Sequence, residues 1–449
     1  MTRGLDEIGV KVSFVLPQSI PADAASHVSL RTPDQLLGPA LSAPAAETQA
    51  QPQPQPAPAG GEQTNIEQLR RQTYQHLKFH PIPISLQPYA SPGQEDDKTR
   101  EMIEQAIAAG ARSIEQIMQR INKTIIEQLE PTFFVGDQPG QYRGNLMDQV
   151  HRYTRLAIEL ARREDFDVVH AHDWMTFPAG QAVAAVTGKP LVVHIHSTEF
   201  DRSGENVNQR VYDIERAGMH AASRVICVSH LTRNIVRARY GIGEHKIDVI
   251  YNAVDADNGS AAMEPIRTNE KIVLFLGRVT MQKGPEYFLM AAKKVIQKFP
   301  NVRFVMAGSG DMITQCIRLC ADLKLGKHVA FTGFLRSPDV KKVFSMADLY
   351  VMPSVSEPFG IAPLEALSHN VPVIISKQSG VSEVLTHVLK VDFWDIDEMA
   401  NKILAVLRHP PLQRTLRQHG QIELRKFSWT DSARKIQQTY QSVVEAQVS

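Results

Sequence analysis

KIVLFLGRVTMQKGPEYFLMAAKKVIQKFPNVRFVMAG, residues 271–308, is a buried-strand run, a turn with two cations, an amphipathic helix and a second strand. IVLFLG (from Ile272) and VRFVMAG (from Val302) are continuous apolar runs of strand length. EYFLMAAKKVIQKF (Glu286 to Phe299) repeats apolar residues three and four apart, the period of a helix with one buried face. Strand, helix, strand in this order predicts parallel strands with crossover helices. The rhythm continues through VAFTG (Val329), LYVMPS (Leu349) and VPVIIS (Val371). A first series precedes it: KVSFVLP (Lys11–Pro17), DVVHAH (Asp167), LVVHIH (Leu191), RVICVS (Arg224) and DVIYN (Asp248). Two series of five predict an α/β protein of two doubly wound domains rather than one very large sheet.

The domains are expected at 1–252 and 272–425. Between them Ala253 to Lys271 is small, polar and poor in periodic apolar residues, so it reads as a linker. Residues 36–64, with QPQPQPAPAGG, hold too few large apolar groups to offset their ordering entropy and read as a disordered insert. Residues 95–129 keep Ile103, Ile107, Ile114, Met118, Ile121 and Ile125 at helical spacing and predict a long amphipathic helix packed on its own domain. The tail after Trp429 has the same period and needs a surface to dock on.

Composition removes several function classes. The 449 residues carry 49 Lys and Arg against 48 Asp and Glu, a formal charge of +1, so no global field recruits nucleic acid or an anionic membrane. Three cysteines, Cys227, Cys316 and Cys320, make neither a disulfide framework nor a zinc spacing; the last two fall in a helical pattern. No apolar run approaches the roughly 18 residues of a membrane span, and the first residues lack the apolar stretch of a signal peptide. A cytoplasmic enzyme is the expectation.

In open parallel sheets ligands bind beyond the carboxyl ends of the strands. There the second half places Gly277, Arg278 and Lys283. A planar guanidinium fork and a point charge on a flexible turn would suit a diphosphate, although solvated surface cations would look the same. The pattern of a Walker loop is absent. After LYVMP come Glu357, Phe359, Gly360, Ile361, Ala362 and Glu365. A helix beginning near Pro358 or Phe359 would set Glu357 and Glu365 about two turns apart and offer the amides of Gly360, Ile361 and Ala362 to phosphate oxygens. The bland alternative is a carboxylate favouring the helix dipole and a surface glutamate.

Taken together, Gly277-Arg278-x4-Lys283-Gly284 and Glu357-Pro-Phe-Gly-Ile-Ala-Pro-Leu-Glu365 resemble the donor site of retaining glycosyltransferases of family 4, over about residues 167–429. The resemblance implies the GT-B architecture: two Rossmann-like domains facing across a cleft, with a C-terminal helix, here 426–449, crossing back to the first. It implies that Arg278 and Lys283 bind the diphosphate of a nucleotide sugar, Glu357 the donor sugar and Glu365 the ribose, with Gly308 and Gly310 turning beneath the nucleotide. It also implies a hexosyltransferase that needs no cofactor and no metal.

The first half supplies the other wall. DVVHAHDW and LVVHIHST put His170 with His172, and His194 with His196, on one side of their strands. No carboxylate or thiolate pattern accompanies these four histidines, so no metal is expected there. The His-Asp-Trp segment also resembles bacterial glycogen and starch synthases, which points to glucose. By the same likeness His196 orients the donor sugar and lends its carbonyl to the anomeric carbon, while His194 is buried structure. Asp173, Glu199, Asp201, Arg202, Asn206, Ser229 and Asn252 are acceptor-side candidates; capping and turn roles would explain them too. Asp395 and Asp397, a D-x-D pair, read as a helix N-cap with a first-turn carboxylate. Family members open with a further strand and a Gly-Gly loop, whereas MTRGLDEIGV looks like the end of the helix that follows. That departure keeps binding without turnover in view as an alternative to transfer, and the resemblance itself implies a second, nucleotide-sugar epimerisation, which GT-B proteins also perform. The expected partners are a nucleotide sugar and a glycan or small hydroxylated acceptor; a homo-oligomer stays open.

Overall fold

The computed structural model describes residues 1–16, 77–81, 144–254 and 270–448. The insert expected at 36–64 and the helix expected at 95–129 lie outside these residues, as does most of the linker. Strands β1 (Val12–Leu16) and β2 (Leu77–Pro81) form a two-stranded parallel sheet. Strands β3 (Val169–His172), β4 (Leu191–Ile195), β5 (Arg224–Cys227) and β6 (Ile247–Val249) form a parallel sheet in that order. The second sheet holds β7 (Lys271–Leu276), β8 (Val302–Ala307), β9 (Val329–Gly333), β10 (Leu349–Met352), β11 (Val373–Ser376) and β12 (Leu389–Val391). All its pairings are parallel, in the order β12-β11-β10-β7-β8-β9. These are two parallel, Rossmann-like sheets, as the expected architecture requires.

Ten of these strands coincide with the apolar runs of the sequence; β2 and β12 do not. One grouping differs from the expectation: β1 pairs with β2 and joins neither larger sheet among the described residues.

The strands form because both faces of each sheet are covered, which admits unbroken apolar runs. In the second sheet, Phe288 and Ala292 of the helix Pro285–Lys298, Cys316 and Cys320 of Ile313–Asp322 and Ile403 of Ile396–Arg408 share one core. Val343 and Phe344 of Ser337–Met346 and Leu364 and Leu367 of Ile361–Ser368 share the core on the opposite face. Chain leaving β7 therefore turns to one face and chain leaving its neighbour β10 to the other. The helices that follow thus leave adjacent strand ends on opposite faces, and such a switch point is where parallel sheets bind ligands.

In the first sheet, alternate residues of β4 sort to opposite sides. Leu191, Val193 and Ile195 pack with Phe177, Val211 and Ile214 from the crossover helices. Val192 packs with Leu5, Ile226, Ala433, Ile436 and Val443. The last three belong to the helix Trp429–Val448, which docks on the first domain after the chain has completed the second. Among the bonds that pin it there are Thr439 Oγ1 to Asp248 at 2.9 Å and Ser432 Oγ to the carbonyl of Tyr251 at 2.8 Å. Ile436→Ala should cost about 2–4 kcal/mol, because its side chain is fully enclosed by both elements. A lowered urea midpoint measures that loss, and an unchanged midpoint would show that the helix is not part of the first domain's core.

Among the described residues no helix is long and apolar enough to cross a membrane. Cys227, Cys316 and Cys320 are free and buried. Asp395 is an N-cap, its carboxylate accepting from the Glu398 amide at 2.8 Å.

Candidate active site

The turn after β7 begins with Gly277 at φ 154° and ends in a 3-10 turn, Met281–Lys283. Gly284 follows at φ 62°, its α-carbon so close to the Pro353 carbonyl that a β-carbon would lie 2.3 Å from that oxygen. Only glycine allows this approach, and it locks the cationic turn against the loop that leaves β10. Gln282, which the sequence did not single out, completes the junction: its backbone carbonyl accepts from the amides of Val355 and Ser356 at 3.0 and 3.4 Å. Lys283 Nζ is thereby held 2.5 Å from Glu357 Oε2, and Ser354 Oγ donates to the same oxygen at 3.2 Å. The Glu357 side chain is 9% exposed and that of Lys283 21%. A carboxylate so enclosed needs a cation, and an incoming anion can compete for the same ammonium.

The helix expected from Pro358 or Phe359 begins instead at Ile361, with Gly360 as N-cap at φ 106°. The reason is extended pairing: the Glu357 amide donates to the Gln378 carbonyl and its own carbonyl accepts from Gly380. Glu357 is therefore fixed by sheet-like bonds, and only Glu365 is helical. Burial pushes the Glu365 carboxyl above its ordinary range, with His369 pulling it back. The amides of Ile361 and Ala362 open the helix as the motif implies. The Phe359 side chain is buried against Tyr251 and Phe427.

Across from these residues, Asp173 sits at φ 56° beyond β3. Its amide donates to the His194 carbonyl and its Oδ1 accepts from the His196 amide at 2.8 Å. One strained aspartate thus sets where the strand end of β4 places His196. The His196 ring is tied back to β3, Nε2 standing 2.9 Å from Nδ1 of His172.

A cavity of about 260 Å³ is lined by Asp173, Trp174, His196, Arg202, Arg278, Gln282, Lys283, Glu357 and Pro358, among others. It joins residues of both domains and collects every catalytic candidate: His196, Arg278, Lys283 and Glu357.

Acceptor-side candidates separate into two groups. Asp173 and Arg202 border the cavity. Arg202 is nevertheless held by Glu199 at 3.0 Å and by Glu215, with the Tyr240 hydroxyl donating to Glu215. Burial lifts the Glu215 carboxyl to about 7, against the pull of Arg202. Glu199 is buried, accepting also from Ser203 Oγ and the Asn208 amide. Asp201 closes a capping box with Thr198 and accepts from Ser356 Oγ of the other domain at 2.6 Å. Ser229 is buried as the N-cap of the helix His230–Tyr240. Asn206 is exposed in the loop after Glu199–Ser203, and Asn252 is half-buried beyond β6.

Glu383 went unnoticed in the sequence, yet it bridges the domains. Its carboxylate accepts from the amides of His230 and Leu231 at 2.9 and 2.6 Å and from the Tyr251 hydroxyl at 3.0 Å. Its partners lie more than 130 positions away, so no local pattern marks it.

Residues 134–258 match the family described as Glycosyltransferase Family 4, and residues 260–422 match Glycosyl transferases group 1. An uncharacterized glycosyltransferase of Methanocaldococcus jannaschii is 32% identical over 301 residues, 63% of this chain and 77% of that protein. The glycogen synthase of Mycobacterium tuberculosis is 27% identical over 61% of this chain and 68% of its own length. Among solved structures, Anabaena HepE in complex with UDP-glucose superposes with a TM-score of 0.57 at 23% identity, covering 71% of this chain and 88% of that one.

Proposed function

This chain belongs to the family 4 glycosyltransferases of the GT-B fold, and on that premise we propose that it moves a hexose, glucose first, from a nucleoside diphosphate sugar to a hydroxyl of a glycan or glycoside, with retention at the anomeric carbon. The observation that carries this reading is the cavity between the domains, where Arg278, Lys283 and Glu357 face His196 and Asp173. The glycogen synthase relative and the UDP-glucose complex of HepE support the donor class.

In this mechanism the diphosphate displaces Glu357 from Lys283, and Arg278 takes a second phosphate edge. Glu357, still fixed by its backbone bonds to Gln378 and Gly380, then accepts from sugar hydroxyls. The amides of Ile361 and Ala362 add partial positive charge. As the glycosidic bond to phosphate breaks, negative charge grows on the leaving oxygen, where these groups hold it. The acceptor hydroxyl attacks from the same face, forms the new bond to the anomeric carbon and passes its proton to that phosphate oxygen. The His196 carbonyl stabilises positive charge at the anomeric carbon. Catalysis is positional and electrostatic, with no protein nucleophile.

The test is a panel of ADP-, UDP- and GDP-sugars with oligosaccharide acceptors. It reads released nucleoside diphosphate and, by NMR, the anomeric configuration of the product. Release that depends on acceptor, with the configuration kept, is the expected result. Inversion would remove the mechanism, and sugar isomerisation without acceptor would replace transfer by epimerisation.

Glu365→Gln should separate binding from stability. The ionised carboxyl is disfavoured by burial in the folded chain, so the neutral amide should raise the urea midpoint at pH 7. That gain should vanish as pH falls below about 4, where the carboxyl is protonated in both folded and unfolded chains. The donor KM should rise about tenfold or more, as expected for a lost charged hydrogen bond to the ribose. A rise in stability with no change in donor KM would leave Glu365 without a ligand role.

A further inference from the structure

Behind the cavity, β3 and β4 present four imidazoles on the face covered by the C-terminal helix. Their rings stack in a two-by-two array: His170 on His172 and His194 on His196 with centroids 4.3 Å apart, and cross-strand pairs at 5.2–5.4 Å. Side chains two apart on one strand share a face, and the parallel register sets His172 beside His194.

Polar rings in such a place should find partners. Yet both ring nitrogens of His194, a residue only 2% exposed, and Nε2 of His170 are buried without a hydrogen bond among the described residues. One ring nitrogen each from His170, His172 and His194 lies within 4.8 Å of the other two. Ligands at 2.0–2.1 Å from a tetrahedral ion stand roughly 3.4 Å apart, so modest ring rotations would close the triangle.

We propose that His170, His172 and His194 form a binding site for one divalent transition-metal ion of the zinc type, behind the transfer cavity. The bonds made by the other ring nitrogens suit it. Nδ1 of His170 lies 2.5 Å from the Tyr440 hydroxyl, and Nδ1 of His172 lies 2.9 Å from Nε2 of His196. With a proton on each Nδ1, both Nε2 lone pairs are left to the ion, the usual outer-shell arrangement of metal-bound histidine. Imidazole-only donors select zinc, copper or nickel over magnesium and calcium. The ion would couple β3 and β4 to the helix Trp429–Val448 through Tyr440. It lies outside the residues assigned to the donor, so its test does not depend on transfer.

The experiment uses full-length chain without a histidine tag, stripped by chelator and dialysed against buffered zinc. Elemental analysis should find about one zinc per chain, and X-ray absorption of that sample should show a shell of nitrogen ligands with imidazole scattering. Zinc should also raise Tm, since binding to the folded chain alone stabilises it. His194→Leu should lose the ion. Metal content no higher than in a chelator-treated control would overturn the proposal, as would a shell of carboxylate or thiolate ligands. A folded His194→Leu that keeps the same stoichiometry would overturn it too. If that variant does not fold, the absorption spectrum of the wild-type chain decides.

Discussion

Lys283→Ala lowers turnover by about 10²–10³-fold, the expected loss for removing one preorganised positive donor from a developing anion. The argument runs through Glu357. The ammonium stands 2.5 Å from that carboxylate, and both are held by a turn and a loop locked at Gly284. Without the lysine, Glu357 keeps Ser354 as its one side-chain donor among the bonds described, so some stability is lost as well. Two controls separate these effects. Urea unfolding reports the structural part, and Lys283→Arg, which keeps the charge while changing its reach, should recover part of the rate but not all of it. Steady-state release of nucleoside diphosphate is the measurement. Unchanged turnover in Lys283→Ala would remove the diphosphate assignment.

The second large effect is expected at Gly308. Here β8 ends at φ 140°, and a β-carbon would lie 1.8 Å from the carbonyl oxygen of Gly277. That oxygen belongs to backbone and cannot swing aside, so Gly308→Val must push apart the ends of β7 and β8, which carry the cationic turn. The expected cost is about 4 kcal/mol or more, the range reserved for such backbone conflicts. Donor affinity should fall with it. Gly326→Ala is the matched control, since a β-carbon there meets nothing within 4 Å. Its urea midpoint should stay close to wild type, and equal losses in the two variants would refute the steric account.

Much of the architecture was legible because buried parallel strands leave unbroken apolar runs, as in IVLFLG and LVVHIH. What escaped was short or borderline: β12 is three residues with its middle lysine half-buried, and β2 ends on Pro81, the first proline of HPIPISLQP. The start of the Ile361–Ser368 helix was misread because Glu357 is claimed by Gln378 and Gly380, more than twenty positions on. Arg278, Lys283, Glu357 and His196 could be singled out because strand ends and motif order mark them, and the fold brings all four to one cavity. Glu199, Asp201 and Arg202 read from sequence as acceptor-side candidates. Their charges are in fact enclosed, since Glu215 and Tyr240 come from helices whose approach only the tertiary fold reveals.

Glu383 and Asp201 hold the two lobes together very unequally. Glu383 grips two main-chain amides and a phenol at once, whereas Asp201 meets the opposite lobe through the lone hydroxyl of Ser356. Were the lobes to part, the single bond at Ser356 would give way more readily than the three at Glu383. Ser356 is the chain neighbour of Glu357, so a separation on that side would tug at the residue paired with Lys283.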